Sequence, residues 1–164
     1  MSDFVREAGA AVALVALTLL LQCAGMAAVI SFAKPSLAPD GLRLGPLHSA
    51  LLMVRLMTAF IALHMLEILL WAAFYRWLCF PLLESAFYFS TSSYATVGYG
   101  DVILPQRWRA LGPVESITGV LMCGLSASFL FAIVSRLVDR ETRLSSDLAK
   151  TRSSYSEGET IPTI

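Results

Sequence analysis

The sequence predicts an all-α membrane protein with three full transmembrane spans and one half-span. Three observations carry that expectation: apolar runs long enough to cross a bilayer, a composition that is 57% hydrophobic and only 15% charged, and a Ser/Thr-rich stretch too short to cross. A mean hydropathy of +0.70 over 164 residues is too apolar for an ordinary soluble domain of this size. Twelve basic residues balance twelve acidic ones, which argues against a nucleic-acid partner. Cys23, Cys79 and Cys123 are far apart and form no disulfide framework or metal spacing.

The first apolar run, residues 8–33, ends before Lys34-Pro35 and has the ~20 residues that a bilayer requires. A lipoprotein-type cleavage site at Leu20-Leu21-Gln22-Cys23 is disfavoured, because Gln22 replaces the small residue expected before the cysteine. Residues 34–46 contain three prolines and two glycines and read as a loop. The second run extends to about Phe80, with its embedded part, Leu56–Tyr75, bracketed by Arg55 and Arg76. Trp71, Tyr75 and Trp77 gather at one end like an aromatic belt. Pro81 breaks the helix, and residues 82–94 favour a re-entrant helix. The third span runs from about Pro113, suited to a first helical turn, to Val138. Arg136–Lys150 reads as a charged helical extension, and 151–164 as a polar, disordered tail.

The distribution of Lys and Arg predicts the orientation. An external N-terminus and a cytoplasmic C-terminus place Lys34, Arg43, Arg55, Arg136, Arg140, Arg143, Lys150 and Arg152 inside, and leave Arg6, Arg76, Arg107 and Arg109 outside. The chain then divides into an N-terminal helix and loop (1–46), a central module (47–138) and a C-terminal tail (139–164).

Between the half-span and the third span lies Thr96-Val97-Gly98-Tyr99-Gly100-Asp101. The carbonyls of Thr96 through Gly100 can share one side only if the backbone alternates between ordinary and left-handed dihedrals. Gly98 and Gly100 permit the left-handed steps because they lack a Cβ. A strip of such carbonyls is a poor neighbour for lipid and a good one for a bare cation.

This hexapeptide resembles the selectivity filter of potassium channels. Over residues 56–138, the order of outer helix, pore helix, filter and inner helix resembles their pore module. His64-x-x-Glu67-x-x-x-Trp71-Ala72, Ala86-Phe87-Tyr88-Phe89-Ser90, and Glu115 through Gly119 to Gly124-x-Ser126 look like the small bacterial ion-channel proteins built on that module. The resemblance implies that K+ is held by Thr96, Val97, Gly98, Tyr99 and Gly100, and that Val97 and Tyr99 turn their side chains toward a pore helix bearing Tyr88, Phe89 and Ser93. It implies a homotetramer in a cell membrane, with lipids and K+ as partners, passive flow, and no cofactor beyond the permeant ion. Where many relatives have a carboxylate four residues before the filter threonine, this chain has Ser92. The equivalent brace for Asp101 is therefore expected to be weaker or to come from elsewhere, with Glu67 or Glu115 approaching the back of the filter and hydrogen-bonding there.

Competing readings attach to several residues. His64 and Glu67 share a helical face as a hydrogen-bonded pair, an incomplete metal site or a pH sensor. Gly119 and Gly124 are close-packing positions or a hinge. Leu121, Gly124 and Ser128 share a face that lines a cavity, and Phe129 or Phe131 forms a constriction or packs elsewhere. Arg107 and Arg109 are interfacial anchors or partners of Glu115. No regular Arg repeat marks the second span as a voltage sensor. The expected function is that of a potassium channel subunit. The rivals are a non-conducting scaffold and a membrane enzyme, for which no triad or metal spacing is present.

Overall fold

A computed structural model describes residues 2–37 and 46–158. It contains four helices: α1 (Ser2–Leu37), α2 (Pro46–Leu78), α3 (Leu83–Tyr94) and α4 (Leu111–Gly158), with a 3₁₀ turn at Gln106–Trp108 before α4. Three segments, Phe4–Phe32, Ser49–Leu78 and Gln106–Arg136, are long and apolar enough to cross a membrane. The chain is an all-α, multi-pass membrane protein.

The helix boundaries follow from local chemistry. Pro46 occupies the first position of α2, where a missing N–H costs nothing. The end of α2 is tied off by Cys79 and Phe80, whose amides both donate to the Tyr75 carbonyl, and Pro81 prevents continuation. At 12 residues, α3 is ~18 Å long, about half the hydrocarbon thickness of a bilayer.

Two boundaries differ from expectation. Helix α1 continues past Lys34-Pro35 to Leu37, because a proline in a last turn removes few hydrogen bonds. The remainder of the expected 34–46 loop, residues 38–45, lies outside the described residues. Residues 151–158, expected to be disordered, continue α4. No Pro or Gly interrupts the sequence between Gly124 and Gly158, and Leu, Ala, Arg, Lys and Glu sustain a helix there. Residues 159–164 of that tail lie outside the described residues.

Helix α3 is wedged between α2 and α4, and α1 packs against both long helices. Near the hexapeptide, Leu14, Trp71, Tyr75, Ala86, Leu104 and Leu111 form one buried cluster. Ile68, Tyr94 and Met122 form a second. Val29, Leu52, Leu56, Phe60, Leu63 and Ile133 form a third at the opposite end. Helix α1 contributes to two of these, so the expected boundary after residue 46 separates elements with a common core.

Glu7 Oε1 accepts the Ala110 amide, Gln22 bonds Ser126, and Val29 shares a cluster with Ile133. Helices α1 and α4 therefore run parallel, and both begin at the end of the molecule where the hexapeptide lies.

Candidate functional site

The last carbonyls of any helix lack intrahelical partners. At the end of α3 those partners are the first amides of the hexapeptide. Thr96 N–H donates to Ser93 O at 2.9 Å, Val97 N–H to Ser92 O at 2.9 Å, and Gly98 N–H to Ser92 O at 3.3 Å. Ser92, where a carboxylate was the alternative, thus serves the loop through its backbone. Among the described residues, no hydrogen bond ends on the carbonyl oxygens of Thr96 through Gly100. The amides face the helix that positions the loop, and the carbonyls are left without partners among those residues.

The backbone supplies the alternation such an arrangement needs. Thr96, Gly98 and Gly100 have φ of +59°, +57° and +78°. The two glycines are the expected left-handed positions. Thr96 is an addition, unforeseen because a β-branched residue is a poor occupant of that region. Two hydrogen bonds immediately downstream of it, to the Ser92 carbonyl, hold the turn in place. All five residues, and Asp101, are exposed in the single chain, with Val97 at 50% and Tyr99 at 71%.

The partners of Asp101 lie on α3 and in the loop itself. Its Oδ2 accepts the Tyr88 hydroxyl at 2.8 Å, and its Oδ1 accepts the Val102 amide at 3.1 Å. That hydrogen bond raises the Tyr88 phenol above its ordinary pKa and keeps it a donor. Tyr88 also stacks on Tyr99, with centroids 6.3 Å apart and an interplanar angle of 15°. Phe89 turns the other way, edge-on to Tyr75 at 5.2 Å and against Phe80 at 5.8 Å.

Glu67 and Glu115 are fully buried against α3 rather than against the loop. Glu67 Oε2 accepts the Tyr94 hydroxyl, and His64 Nδ1 lies 3.1 Å from the same oxygen and 2.9 Å from the Tyr94 oxygen. Glu115 Oε1 is 2.5 Å from Ser90 Oγ, and its Oε2 accepts the Tyr75 hydroxyl at 2.9 Å. Ser90 Oγ is also 2.9 Å from the Ile68 carbonyl, and Ser116 Oγ donates to Ser93 O at 2.7 Å. Four polar side chains, His64 and Glu67 from α2 and Glu115 and Ser116 from α4, thus fix α3, which in turn fixes the loop. Arg107 and Arg109 are not partners of Glu115, because its oxygens face Tyr75 and Ser90 inside the core. Among the described residues, no group of three or more His, Cys, Asp or Glu is placed to hold a metal ion.

On α4 the competing readings separate. A Cβ on Gly119 would lie 2.3 Å from the Tyr94 carbonyl oxygen, so Gly119 is a point of close helix–helix approach. Gly119→Ala must push α4 off the end of α3 and is expected to cost about 1–3 kcal/mol per subunit. Thermal unfolding of the purified protein checks this, and an unchanged midpoint contradicts it. Leu121, Gly124, Ser128 and Phe131 are exposed along one face of α4. Phe129 is not on that face: it packs edge-on against Phe60 at 5.9 Å, which removes it from the candidate constriction.

Sequence reasoning passed over Tyr75, Ser90, Tyr94 and Ser116, which hold the half-span, and Thr18 and Gln22 on α1. Thr18 accepts Trp71 Nε1–H at 2.9 Å, and Gln22 reaches Ser126. The available signal was two polar residues four apart inside an apolar run, and therefore on one helical face.

Three apolar spans, a half-span and a loop whose carbonyls have no partner among the described residues together describe a multi-pass membrane protein. Residues 63–136, from the middle of α2 to the end of the apolar part of α4, match the ion channel family model. No curated protein and no solved structure gives a significant match to the chain.

Proposed function

We propose that the protein is one subunit of a homotetrameric, potassium-selective channel, in which the Thr96 hydroxyl and the carbonyls of Thr96 through Gly100 replace the water around a dehydrated K+. The observation that carries this reading is the division of labour in the loop. Its leading amides are used by α3, while five successive carbonyls have no partner among the described residues. One chain supplies a single strip of oxygens, and enclosing an ion on all sides requires symmetric copies. The same copies would cover Val97 and Tyr99. The α3 C-terminus, carrying the negative end of the helix dipole, favours a cation beside it. Lys and Arg distribution favours the loop and N-terminus outside and the far end of α4 in the cytoplasm. Flow follows the electrochemical gradient, without a catalytic group or cofactor.

Reversal potentials of purified protein in planar bilayers, with potassium on one side and sodium on the other, test the proposal. The expected value lies close to the potassium equilibrium potential. A value that follows sodium equally well overturns selectivity, and no current from correctly assembled protein overturns conduction in favour of a scaffold.

A further inference from the structure

Gln22 is fully buried although it sits within the apolar span of α1. Its Nε2 lies 2.9 Å from Ser126 Oγ and 3.3 Å from the Met122 carbonyl, two groups one turn apart on α4. Gly124 lies midway between them, and a Cβ there would meet nothing within 4 Å. The Met122 carbonyl can only accept, so the side-chain amide must present its nitrogen edge to it. This leaves Gln22 Oε1 buried and without a hydrogen-bond partner among the described residues.

We propose that Gln22 clamps a bendable turn of α4, and that α1 thereby positions the inner helix for opening and closing. The gating part of this inference rests on the channel reading above. A glycine in a helix interior costs about 1 kcal/mol relative to alanine, and bends concentrate where a lost i→i−4 bond can be replaced by a side chain. In a straight α4, the Met122 carbonyl serves both its helical partner, the Ser126 amide, and Gln22. When α4 bends at Gly124, the helical bond is the one that lengthens, and Gln22 keeps the carbonyl satisfied. The idle Oε1 is then an acceptor for an amide released in the same turn.

An amide with one edge engaged and the other buried and unused is costly in a single rigid state, because a buried acceptor normally finds a partner. A second arrangement gives that edge a use. The support for the clamp is rigid: Thr18, one turn before Gln22, accepts Trp71 Nε1–H, and Trp71 is fully buried on α2.

Gln22→Leu keeps a similar volume and removes both edges, whereas Ser126→Ala removes one contact. Hydrogen–deuterium exchange of the full-length protein is the direct readout. Amides of residues 122–128 are expected to exchange about fivefold or more faster in Gln22→Leu, and by less in Ser126→Ala, with α2 unaltered. In single-channel recordings, Gln22→Leu is expected to shift the ratio of open to closed time about fivefold or more, at unchanged unitary conductance and reversal potential. Adding Ser126→Ala to Gln22→Leu is expected to shift either readout by less than the sum of the single effects. Unchanged exchange at 122–128, or a rise spread evenly over all helices, overturns the clamp. Faster exchange with an unaltered open-to-closed ratio overturns its gating role. A parent protein without current overturns the channel reading alone, because the exchange measurement requires no current.

Discussion

Gly98→Ala is expected to reduce rubidium uptake into liposomes by about a thousandfold or more. At φ +57°, Gly98 occupies a conformation that costs an L-residue about 1–2 kcal/mol. A Cβ added there meets nothing within 4 Å in the same chain, so within the subunit the effect is conformational rather than steric. Relaxing the strain rotates the peptide and removes a carbonyl from the strip. In a tetramer the penalty is incurred four times, about 4–8 kcal/mol per pore, and each 1.4 kcal/mol corresponds to a factor of ten. Thr96, already left-handed at φ +59°, leaves the loop little tolerance for a second strained side chain. Gly9→Ala, at an open position on α1, is the control and is expected to leave uptake unchanged. Uptake by Gly98→Ala within threefold of the parent would refute the proposed role of the loop.

Glu115→Leu is expected to lower the thermal stability of the protein clearly. The carboxylate is fully buried, and its two oxygens meet Ser90 Oγ and the Tyr75 hydroxyl. Leucine leaves the Tyr75 hydroxyl stranded in the core, at about 1–3 kcal/mol per subunit. Ser90 suffers less because the Ile68 carbonyl remains 2.9 Å away. Glu115→Gln retains an acceptor and a donor and is expected to lose far less. The loss of oligomer on heating, followed by size-exclusion chromatography, separates the two. Equal melting of the Leu variant and the parent would show that this carboxylate does not hold α3 in place.

The three spans and the half-span were legible because bilayer thickness imposes length and apolarity directly on the sequence, and because Pro81 ends α2 whatever surrounds it. The hexapeptide was legible because its two glycines mark left-handed positions. Its third left-handed residue was not, because Thr96 is held there by hydrogen bonds to the end of α3 and not by its own preference. The partner of Asp101 was not legible for a related reason. Periodicity puts Glu67 and Glu115 on buried faces, but which α3 side chain reaches which carboxylate depends on how far α3 penetrates between α2 and α4. Tyr88 has the length to span from α3 to Asp101, a fact of tertiary placement. Phe129 and Phe131 are two residues apart and became distinguishable only once Phe60 was found against one of them.

The contacts of α1 bear on how far this protein can be pared down. The match to the ion channel family model begins at residue 63, so α1 lies outside it. Yet the indole nitrogen of Trp71 has its partner on α1, and Leu63 fills the space beside Gly25 of α1. Cutting away the first helix would turn an indole N–H and a seam of close-fitting side chains out toward hydrocarbon. The α2–α4 unit therefore cannot be recovered intact from this molecule by truncation, because its outer surface is fitted to α1.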